Sequence, residues 1–446
     1  MRLTLAEIAE AVKGEISLTS NPETLNGVST DSRTLEPGQL FVPLVAQHDG
    51  HDFISAAVEA GAVACLSARN LADASPVPIV VVPDTAIALT DLARVARSRL
   101  EARVVGITGS VGKTTTKDFC SATIGAALRC WVSEKSFNNE IGLPLTILNA
   151  PDNCEVLVTE MGASAPGDID KLCETARPHY GILTSIAIAH TESFGTIDQI
   201  ARTKAELLEA LPVDGVAVVN RDDELVMAQA ERVLSSHQTS NSLLTFGLHT
   251  EADVRAEDVS VDGQLHAQYL LRSPWGSERV RLDVAGRHNV GNSLAAATVA
   301  LHLGVSVEAV VEGLSEAKIS PWRMSLDTSP SGVLVLNDSY NANPTSMEAA
   351  LQALTQLSAR QHYAVLGTMA ELGDYHDSEH LRIADFAKEL GVKVISVAEP
   401  AYGLEALPDI TSALQSLSDL GEGSAVLIKG SRVAGLEHLA DRLLEL

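Results

Sequence analysis

The sequence predicts a multidomain α/β protein whose sheets are built mainly from parallel strands. Three observations indicate this class: a length of 446 residues, short apolar runs alternating with amphipathic stretches, and polar residues at the ends of several apolar runs. At roughly 150 residues per domain, the chain is long enough for about three domains. Alternating strand-like and helix-like segments are typical of crossovers that connect parallel strands. We expect domains at residues 1–82, 83–315 and 316–446.

The charge balance excludes several classes of protein. Lys and Arg number 32 against 58 Asp and Glu, which gives a net charge of −26. A chain this acidic repels nucleic-acid backbones and anionic lipid, and no apolar run reaches the roughly 18 residues of a membrane span. The amino terminus, MRLTLAEIAEAVKGEI, lacks the apolar segment of a secretory signal. We expect a cytoplasmic monomer with no nucleic-acid partner, whose five cysteines stay reduced because none forms a CxxC pair.

Residues 1–82 are predicted to form a small α/β domain. Apolar periodicity indicates a helix over residues 5–12, a strand at GQLFVPLV, a helix over residues 53–60 and a strand at VPIVVV. The EPG and HDG triplets mark turns. The amphipathic segment TAIALTDLARVARSRL then predicts the helix at which the second domain begins.

The second and third domains are each predicted to contain a β/α series. Central strands are expected at RVVGIT, CEVLVTE, YGILTSIAIA and GVAVVN, followed by antiparallel hairpins between Ser242 and Val284 and a helix at NVGNSLAAATVALHLG. Carboxy-terminal strands are expected at GVLVLND, HYAVLG, VKVISV and SAVLIKG. We expect a parallel-sheet P-loop ATPase domain and then a doubly wound, Rossmann-like domain, although no GxGxxG motif is present.

The sharpest motif is GITGSVGKTTTKDF, residues 106–119, where an apolar strand enters a glycine-rich turn and then a helix. Such a turn cradles phosphates with backbone N–H groups, while the lysine neutralises the β- and γ-phosphates and the following hydroxyl holds Mg²⁺. The general pattern would place a glycine at Ile107, whereas Gly106 lies one position earlier. The residues predicted to bind nucleotide here are Gly109, Ser110, Val111, Gly112, Lys113, Thr114 and Thr115.

Polar residues also lie at the carboxyl ends of other predicted strands, where an open α/β sheet forms its ligand crevice. Glu160, His190 and Asn220 hold such positions. A nucleotide enzyme needs a hard oxygen ligand for Mg²⁺ beside the phosphates, so Glu160 is predicted to be that ligand. The segment NRDD at 220–223 resembles a guanine-reading element, but no DxxG accompanies it, and we interpret it as a turn-forming cluster.

Motifs in all three predicted domains resemble those of the Mur ligases of peptidoglycan synthesis. They are STDSRTLEPGQLF (29–41), GITGSVGKTTTK (106–117), FNNEIGLPLTIL (137–148), EMGAS with GDI (160–169), AHTESFGT (189–196), RTKAEL (202–207), GRHNVGNSLAA (286–296), NDSYNANPTSMEAAL (337–351) and IKGSR (428–432). FNNEIGLP and DSYNANP resemble the members that join D-alanyl-D-alanine to UDP-N-acetylmuramoyl-tripeptide. The DNPR motif expected of the sister enzyme that adds diaminopimelate or lysine does not occur.

The resemblance implies ATP-dependent amide synthesis. The tripeptide carboxylate would attack the γ-phosphate of ATP, and the amine of D-alanyl-D-alanine would then attack the acyl phosphate and release phosphate. Phosphorylation gives a poor electrophile a leaving group, and both steps build anionic charge that Mg²⁺, Lys113 and backbone N–H groups can stabilise. The third domain would close over the site, because an acyl phosphate must be kept from water.

The resemblance also implies roles for individual residues at the nucleotide. Catalysis is assigned to Lys113, Lys204 and His190, and two Mg²⁺ ions are expected, with Thr114 and Glu160 near the phosphates and His190 at the second ion. Lys204 matches a lysine that the family converts to a carbamate, which presents two oxygens to a cation. Asn289 is expected to face adenine, Arg323 to reach ATP, and Asp338 to contact the ribose.

Further matched positions are expected to bind the other substrates. Ser32 and Arg33 lie where the family holds the UDP end, although Arg33 can equally serve as an ion-pair partner. Asn138 and Asn139 are expected to face the substrate peptide. Tyr340, Asn341 and Asn343 are expected to face the nucleotide and the dipeptide, ahead of a helix capped by Thr345 or Ser346.

Three departures from the family pattern stand out. The loop before His51 is one residue short and carries Ala46 near a usual glycine, which gives the uridine pocket a different shape. Thr368 stands where aspartate is usual, and KAEL and GDI, with Asp168, replace KGEI and GEI. Two alternatives stay open: a sister ligase that adds a single amino acid, and a P-loop ATPase that regulates a partner.

Overall fold

The structure is a computed structural model that describes residues 2–17, 25–69, 75–134, 136–188, 191–236 and 242–445. It contains two compact units. The first unit comprises residues 1–106, 128–162 and 170–180, and the second comprises residues 107–127, 163–169 and 181–446. The division into domains 1–82, 83–315 and 316–446 stays a prediction beside these units.

Helices and strands alternate along most of the chain. The first elements are β1 (Arg2–Leu3), α1 (Leu5–Val12), β2 (Glu15–Ile16), β3 (Leu25–Asn26), β4 (Val28–Ser29), β5 (Leu40–Phe41), α2 (Ile54–Glu59), β6 (Ala64–Ser67), β7 (Ile79–Val81) and α3 (Thr85–Arg99). Next come β8 (Arg103–Thr108), α4 (Lys113–Gly125), β9 (Cys130–Val132), α5 (Gly142–Leu148), β10 (Val156–Glu160), α6 (Asp168–Ala176), β11 (Tyr180–Leu183), α7 (Thr191–Phe194), α8 (Ile197–Glu209), β12 (Val216–Asn220) and α9 (Glu224–Ser236).

The remaining elements complete the second unit. They are β13 (Ser242–Gly247), β14 (Val254–Val261), β15 (His266–Ser273), β16 (Gly276–Ala285), α10 (Asn289–His302), α11 (Val307–Ser315), β17 (Ser325–Thr328), β18 (Leu334–Asn337), α12 (Pro344–Gln356), β19 (Gln361–Leu366), α13 (His376–Glu389), β20 (Lys393–Ser396), α14 (Ile410–Leu417), β21 (Ser424–Lys429) and α15 (Glu437–Leu443).

The first unit contains a five-stranded sheet in the order β2-β7-β6-β5-β4, parallel except for the β2–β7 pair. Strands β9 and β10 form a parallel pair in the same unit. The predicted helix over residues 5–12 is confirmed, and a capping box between Thr4 and Glu7 fixes its start. The strand predicted at GQLFVPLV is shorter than expected, since only Leu40–Phe41 is paired. Pro43 follows directly and has no N–H for a ladder hydrogen bond.

In the second unit, strands β12 to β16 are neighbours in chain order. Strands β12, β13 and β14 run parallel, and β14, β15 and β16 are antiparallel. The predicted hairpins are therefore confirmed from Val254 onward, whereas Ser242–Gly247, where they were expected to begin, is a parallel strand. Helix α10 follows the last hairpin strand and is buried over most of its length, which explains its Ala-rich sequence.

The carboxy-terminal sheet has the order β17-β18-β21-β19-β20. Its pairs are parallel except for β17, an antiparallel edge strand that the sequence analysis missed. Along β19, Val365 packs into one apolar cluster with α14 and α15, while Ala364 and Leu366 pack into another with α12 and α13. Because strand side chains alternate between faces, helices cover both faces, and the doubly wound prediction is confirmed.

The strand predicted at YGILTSIAIA ends early, at Leu183. The following residues form a loop because their polar groups bond to the glycine-rich turn instead of a neighbouring strand. Ala189 and His190, the predicted end of this strand, lie outside the described residues.

Two features of the composition can be compared with the structure: the state of the cysteines and the apolar character of the helices. None of the five cysteines is bridged, and burial raises the pKa of the Cys65 and Cys130 thiols to about 12, so neither is a thiolate near neutral pH. Across the described ranges, no helix has the length and apolar character needed to cross a bilayer.

One side chain ties β4 to the end of α5 in the first unit, and its removal should destabilise the protein. Asn149 accepts from the Val28 N–H at 2.9 Å and donates to the Val28 carbonyl at 3.0 Å. Asn149→Ala leaves both backbone groups without this partner, so we expect a loss of about 1–3 kcal/mol. Scanning calorimetry should show a lower Tm, while Asn153→Ala, at an exposed position three residues before β10, serves as the control. Equal Tm values for the two variants would contradict this role.

Candidate active site

The glycine-rich turn follows β8 and requires glycine at its first position. Gly109 has φ +148°, and a Cβ there would lie 2.0 Å from Thr184 Oγ1. An alanine would therefore collide with the loop behind the turn. The close approach lets the backbone of the turn lie directly against residues 184–187.

That supporting loop makes reciprocal hydrogen bonds with the turn. The Ser110 N–H donates to the Ser185 carbonyl at 2.8 Å, and Ser110 Oγ donates to the Ala187 carbonyl at 2.9 Å. Thr184 Oγ1 donates to the Val111 carbonyl at 2.6 Å, and the Val111 N–H donates to Ser185 Oγ at 3.2 Å. The N–H groups of Ser110 and Val111 are therefore used inside the protein in this arrangement.

Helix α4 begins directly after the glycine-rich turn, at Lys113. Gly112 lies at the N-cap with φ +85°, and no side chain among the described residues caps this helix. The first N–H groups of a helix have no partner within it and carry partial positive charge. Lys113 Nζ bridges the turn by donating to the Gly109 carbonyl at 2.7 Å. Gly112, Lys113, Thr114 and Thr115, which the motif predicts to bind phosphate, thus lie together at the start of α4.

A chain of amides connects this helix to α10. Thr116 Oγ1 donates to Asn292 Oδ1 at 3.4 Å, and Asn292 Nδ2 donates to Asn289 Oδ1 at 3.0 Å. Asn289 is buried and donates to the Ala285 carbonyl at 2.8 Å. The sequence analysis selected Asn289 but missed Asn292. The spacing of three residues could have identified Asn292, because it places Asn289 and Asn292 on one face of the helix.

Arg323 comes from the segment that enters the carboxy-terminal sheet and reaches the phosphate loop. Its Nη2 donates to Thr114 Oγ1 at 2.8 Å, and its guanidinium carbon lies 4.1 Å from the centroid of the Tyr340 ring. The flanking residues Trp322 and Met324 both have positive φ, +61° and +56°. Left-handed backbone is unfavourable for such side chains, and outliers of this kind cluster at functional sites.

Two carboxylates hold this strained segment: Asp118, which was not predicted, and Asp338, which was predicted only as the ribose contact. Asp118, buried on α4, accepts from the Ser320 N–H at 2.8 Å and pairs with Lys117 at 3.2 Å. A charged residue among apolar positions of α4 was the only sequence signal for it. The second carboxylate is that of Asp338, whose Oδ1 accepts from the Met324 N–H at 3.2 Å.

Asp338 in turn is held by Lys429, a lysine only 1% exposed at the end of β21. Lys429 Nζ lies 2.5 Å from Asp338 Oδ2 and donates to the Asn341 carbonyl at 2.9 Å. The loop that carries Asp338, Tyr340 and Asn341 is thus fixed by one buried cation. Lys429 lies within the IKGSR motif, but no role was predicted for it.

Lys204 is also buried, at 2% exposure, on α8 of the second unit. Its Nζ lies 6.0 Å from the centroid of the Phe194 ring. The hydroxyl of the adjacent Thr203 is buried and has no hydrogen-bond partner among the described residues. Asp168 accepts from the Ser164 and Ala165 N–H groups and so closes a turn before α6.

In the first unit, two predicted residues lie together. Glu160 is buried at the end of β10 and accepts from Asn138 Nδ2 at 2.8 Å. Asn139 Oδ1 accepts from the Ile141 and Gly142 N–H groups and shapes the start of α5. The structure therefore joins Asn138 to Glu160 and gives Asn139 a local structural contact.

The remaining predicted residues of the first unit lie near the amino-terminal sheet. Arg33 forms a two-pronged contact with Asp31, is 86% exposed, and has its pKa raised by this hydrogen-bonded carboxylate. Ser32 lies between them in the chain and is partly exposed. The short loop is closed by the Ala46 N–H, which donates to the His48 carbonyl at 3.0 Å.

The cap predicted at Thr345 or Ser346 is wrong. Helix α12 begins at Pro344, and Asn343 is its N-cap, with Oδ1 accepting from the Ser346 N–H at 2.9 Å. Proline suits the first helical position because its missing N–H would have no partner there. Asn343 thus has a structural contact besides its predicted place at the substrate.

A histidine cluster at α13 has the spacing of a metal site. One ligand atom from each of His376, His380 and Glu399 lies within 4.8 Å of the others. Both ring nitrogens of His380 are used, however, since Nδ1 donates to the His376 carbonyl at 2.6 Å and Nε2 accepts from the Met369 N–H at 2.8 Å. A metal at Nε2 would displace a buried backbone donor, so this ring has a structural role.

Glu399 is the third member of this cluster. Its carboxylate explains why a threonine is suited to position 368. Burial raises the pKa of Glu399, but hydrogen bonds from Thr368 and the Ala401 N–H and the charge of the nearby histidines outweigh it, so the pKa lies below its usual value. Thr368 therefore acts as a donor to a buried carboxylate. A second carboxylate at position 368 would repel Glu399 instead.

Comparison with known proteins agrees with this fold. A model of the Mur ligase middle domain matches residues 107–300, and a model of the Mur ligase, glutamate ligase domain matches residues 322–432. The UDP-N-acetylmuramoyl-tripeptide–D-alanyl-D-alanine ligase of Bacillus subtilis (strain 168) is 34% identical over 470 residues, which cover 100% of this chain and 99% of that protein. The fold and the glycine-rich turn are those of a P-loop ligase. The chain belongs to the Mur ligase family.

Solved structures narrow the similarity to one branch of this family. MurF from Acinetobacter baumannii has a TM-score of 0.87 at 30% identity, covering 100% of this chain and 99% of that one. MurF ligase from Thermotoga maritima, solved in complex with ADP, has a TM-score of 0.80 at 28% identity, covering 94% and 97%. The chain is thus similar over its whole length to ligases that use D-alanyl-D-alanine, and the resemblance found in the motifs is confirmed.

The buried His380 should make stability depend on pH. Burial lowers the pKa of His380 below its ordinary value of 6.5, although the hydrogen bond to His376 and the charge of Glu399 oppose this. As pH falls below 6.5, the unfolded chain takes up this proton before the folded chain does. The free energy of unfolding should therefore decline toward the folded pKa, by at most about 1.4 kcal/mol per pH unit.

His380→Gln tests this dependence, because a glutamine oxygen can still accept from the Met369 N–H but does not titrate. Urea unfolding between pH 8 and pH 5 should give a shallower decline for the variant than for the wild type. The stability difference between them should be largest at pH 8 and shrink toward pH 5. Parallel pH curves would contradict the neutral, buried state of His380.

Proposed function

We propose that this chain joins D-alanyl-D-alanine to UDP-N-acetylmuramoyl-tripeptide, with ATP activating the tripeptide carboxylate as an acyl phosphate. The observation that carries the proposal is the hydrogen bond from Arg323 Nη2 to Thr114 Oγ1 at 2.8 Å. It places a cation from the carboxy-terminal segment on the phosphate loop. A carboxylate and a triphosphate that react with each other need such positive charge from more than one side.

In the first step, different residues at the phosphate loop bind different parts of ATP. The carboxylate oxygen attacks the γ-phosphorus, and the bond to the β-phosphate oxygen breaks to release ADP. Lys113 and the first N–H groups of α4 stabilise the phosphates, and Arg323, stacked on Tyr340, faces the same phosphates from the other segment. Asn289 and Asp338 are proposed to hold the adenine and the ribose.

In the second step the amine nitrogen of the dipeptide attacks the acyl carbon. The amine loses a proton, the acyl–oxygen bond breaks, and inorganic phosphate leaves. Tyr340, Asn341 and Asn343 are proposed to hold the dipeptide. Asn138 and Asn139 are proposed to hold the peptide of the first substrate, and Ser32 and Arg33 its UDP end.

The donors fit Mg²⁺, which prefers oxygen ligands. Thr114 offers a hydroxyl and Glu160 a buried carboxylate, and we assign them as ligands near the phosphates, with His190 as the predicted ligand of a second ion. Bound Mg²⁺ supplies charge neutralisation at the phosphate oxygens. His190 lies outside the described residues.

Lys204 fits a carbamate. It is almost fully buried, and desolvation favours the neutral amine that reacts with carbon dioxide. The adjacent Thr203 hydroxyl has hydrogen-bonding capacity that no described group uses. A carbamate would present two oxygens to a cation where the amine presents none.

The coupling of phosphate release to both substrates tests the function. Purified protein with MgATP and UDP-N-acetylmuramoyl-tripeptide should release phosphate only when D-alanyl-D-alanine is present, and Lys113→Ala should reduce this rate at least about 100-fold. Lys393→Ala, on the edge strand β20, is the control and should keep the wild-type rate.

Two outcomes would contradict the proposal. Release that favours a single amino acid over the dipeptide would make the chain a sister ligase. Release that needs neither tripeptide nor dipeptide would make it a P-loop ATPase of another kind.

The carbamate predicts a dependence on carbon dioxide. Wild-type enzyme in buffers stripped of carbon dioxide should lose activity, and bicarbonate should restore it, because the modification forms reversibly. Lys204→Ala should lose at least about 100-fold in rate and gain nothing from bicarbonate. Full activity of Lys204→Ala, or a wild type indifferent to bicarbonate, would contradict the carbamate.

A further inference from the structure

A second arginine lies beside the loop that precedes α12, outside the roles assigned so far. Arg432 follows β21, and its guanidinium carbon lies 4.5 Å from the centroid of the Trp322 ring. Its Nη1 lies 2.5 Å from Glu437 Oε1, and its side chain is 52% exposed. Arg432 is thus held at one edge while much of its guanidinium faces solvent.

Both partners of Arg432 are themselves fixed. Glu437 is buried, with a side chain 5% exposed, and its Oε2 has no hydrogen-bond partner in the described part of the chain. A buried carboxylate needs a countercharge, which Arg432 supplies. Trp322 is held by its carbonyl, which accepts from the Tyr340 N–H at 3.1 Å. The position of the guanidinium is therefore determined from two sides.

The segment that carries Arg432 lies against the loop proposed to hold the dipeptide. Lys429 Nζ donates to the Asn341 carbonyl at 2.9 Å, and Ser431 Oγ donates to the Ala342 carbonyl at 3.3 Å. Trp322, under the guanidinium, is the neighbour in sequence of Arg323, which reaches Thr114. The residues just before Arg432 thus contact the dipeptide loop, while its guanidinium lies over Trp322 of the segment that reaches the phosphate loop.

The incoming dipeptide presents a requirement that the assigned residues do not meet. Its amine must approach the acyl phosphate, and its terminal carboxylate must be paired at the other end. A guanidinium matches a carboxylate with two parallel N–H donors. Of the cations described around this loop, Lys429 is enclosed by Asp338 and Asn341, and Arg323 donates to Thr114.

We propose that Arg432 binds the terminal carboxylate of the incoming dipeptide, with Trp322 and Glu437 as its positioning residues. This inference rests on the proposed function and deepens it, because it assigns the group that distinguishes a free carboxylate from a blocked end. It makes Arg432 a specificity-determining residue for the amine substrate.

The test compares D-alanyl-D-alanine with its terminal amide, which has the same amine but no negative charge. Wild-type enzyme should have a KM for the amide roughly 10- to 100-fold above that for the acid, as expected for a charged hydrogen-bonded pair. Arg432→Met should raise the KM for the acid to that of the amide and remove the discrimination. Its KM for ATP should stay at the wild-type value, and Arg432→Lys should recover part of the discrimination.

Arg442→Met is the matched control. Arg442 lies on α15, ten residues farther along, and donates to Thr411 Oγ1 at 3.3 Å. This variant should keep the wild-type KM for both acid and amide, and the Tm of each variant should lie close to that of the wild type.

Three results would overturn the inference. Arg432→Met could retain the discrimination between acid and amide, or it could raise the KM for ATP alone, which would assign the guanidinium to a nucleotide phosphate. A wild type with the same KM for the acid and for the amide would also overturn it. A wild type that releases no phosphate with tripeptide and either dipeptide would instead overturn the proposed function.

Discussion

The site in the second unit depends on the ion pair between Lys429 and Asp338. Removing one member of a buried pair costs about 3–5 kcal/mol, because the other charge is left uncompensated. Asp338 also accepts from the Met324 N–H, so the left-handed backbone around Arg323 is held by the same carboxylate. The loop that carries Tyr340 and the segment that carries Arg323 are therefore ordered together by one lysine.

The phosphate loop has a comparable support behind it. The Thr184 carbonyl accepts from Asn220 Nδ2 at 2.9 Å, and the Ile186 N–H donates to Asp223 Oδ2 at 2.9 Å. Asp223 Oδ1 also accepts from N–H groups at the start of α9. The NRDD cluster is thus a turn, as interpreted, and it holds in place the loop on which the glycine-rich turn rests.

The features that the sequence predicted well are those set by local chemistry. The phosphate loop, α1 and the hairpins from β14 to β16 each follow from residues close in the chain, where periodicity and glycine placement decide the structure. Asn292 and Lys429 were missed because their partners, Thr116 and Asp338, lie 176 and 91 residues away. The end of β11 was missed because Thr184 and Ile186 are β-branched, which is typical of strands. The contacts of Thr184 with the turn and of Ile186 with Asp223 remove them from the strand.

The helix cap formed by Asn343 cannot be separated from its proposed contact with the dipeptide. Its carboxamide oxygen holds the Ser346 N–H, and Ser346 Oγ in turn donates to the Asn343 carbonyl at 3.0 Å. A movement that takes this side chain to a ligand must release the first turn of α12, since one oxygen in one direction serves the cap. Local opening of such a turn exposes its amides to exchange with solvent. The hydrogen-exchange rate at Ser346 is therefore a direct gauge of how often the dipeptide loop leaves its resting position.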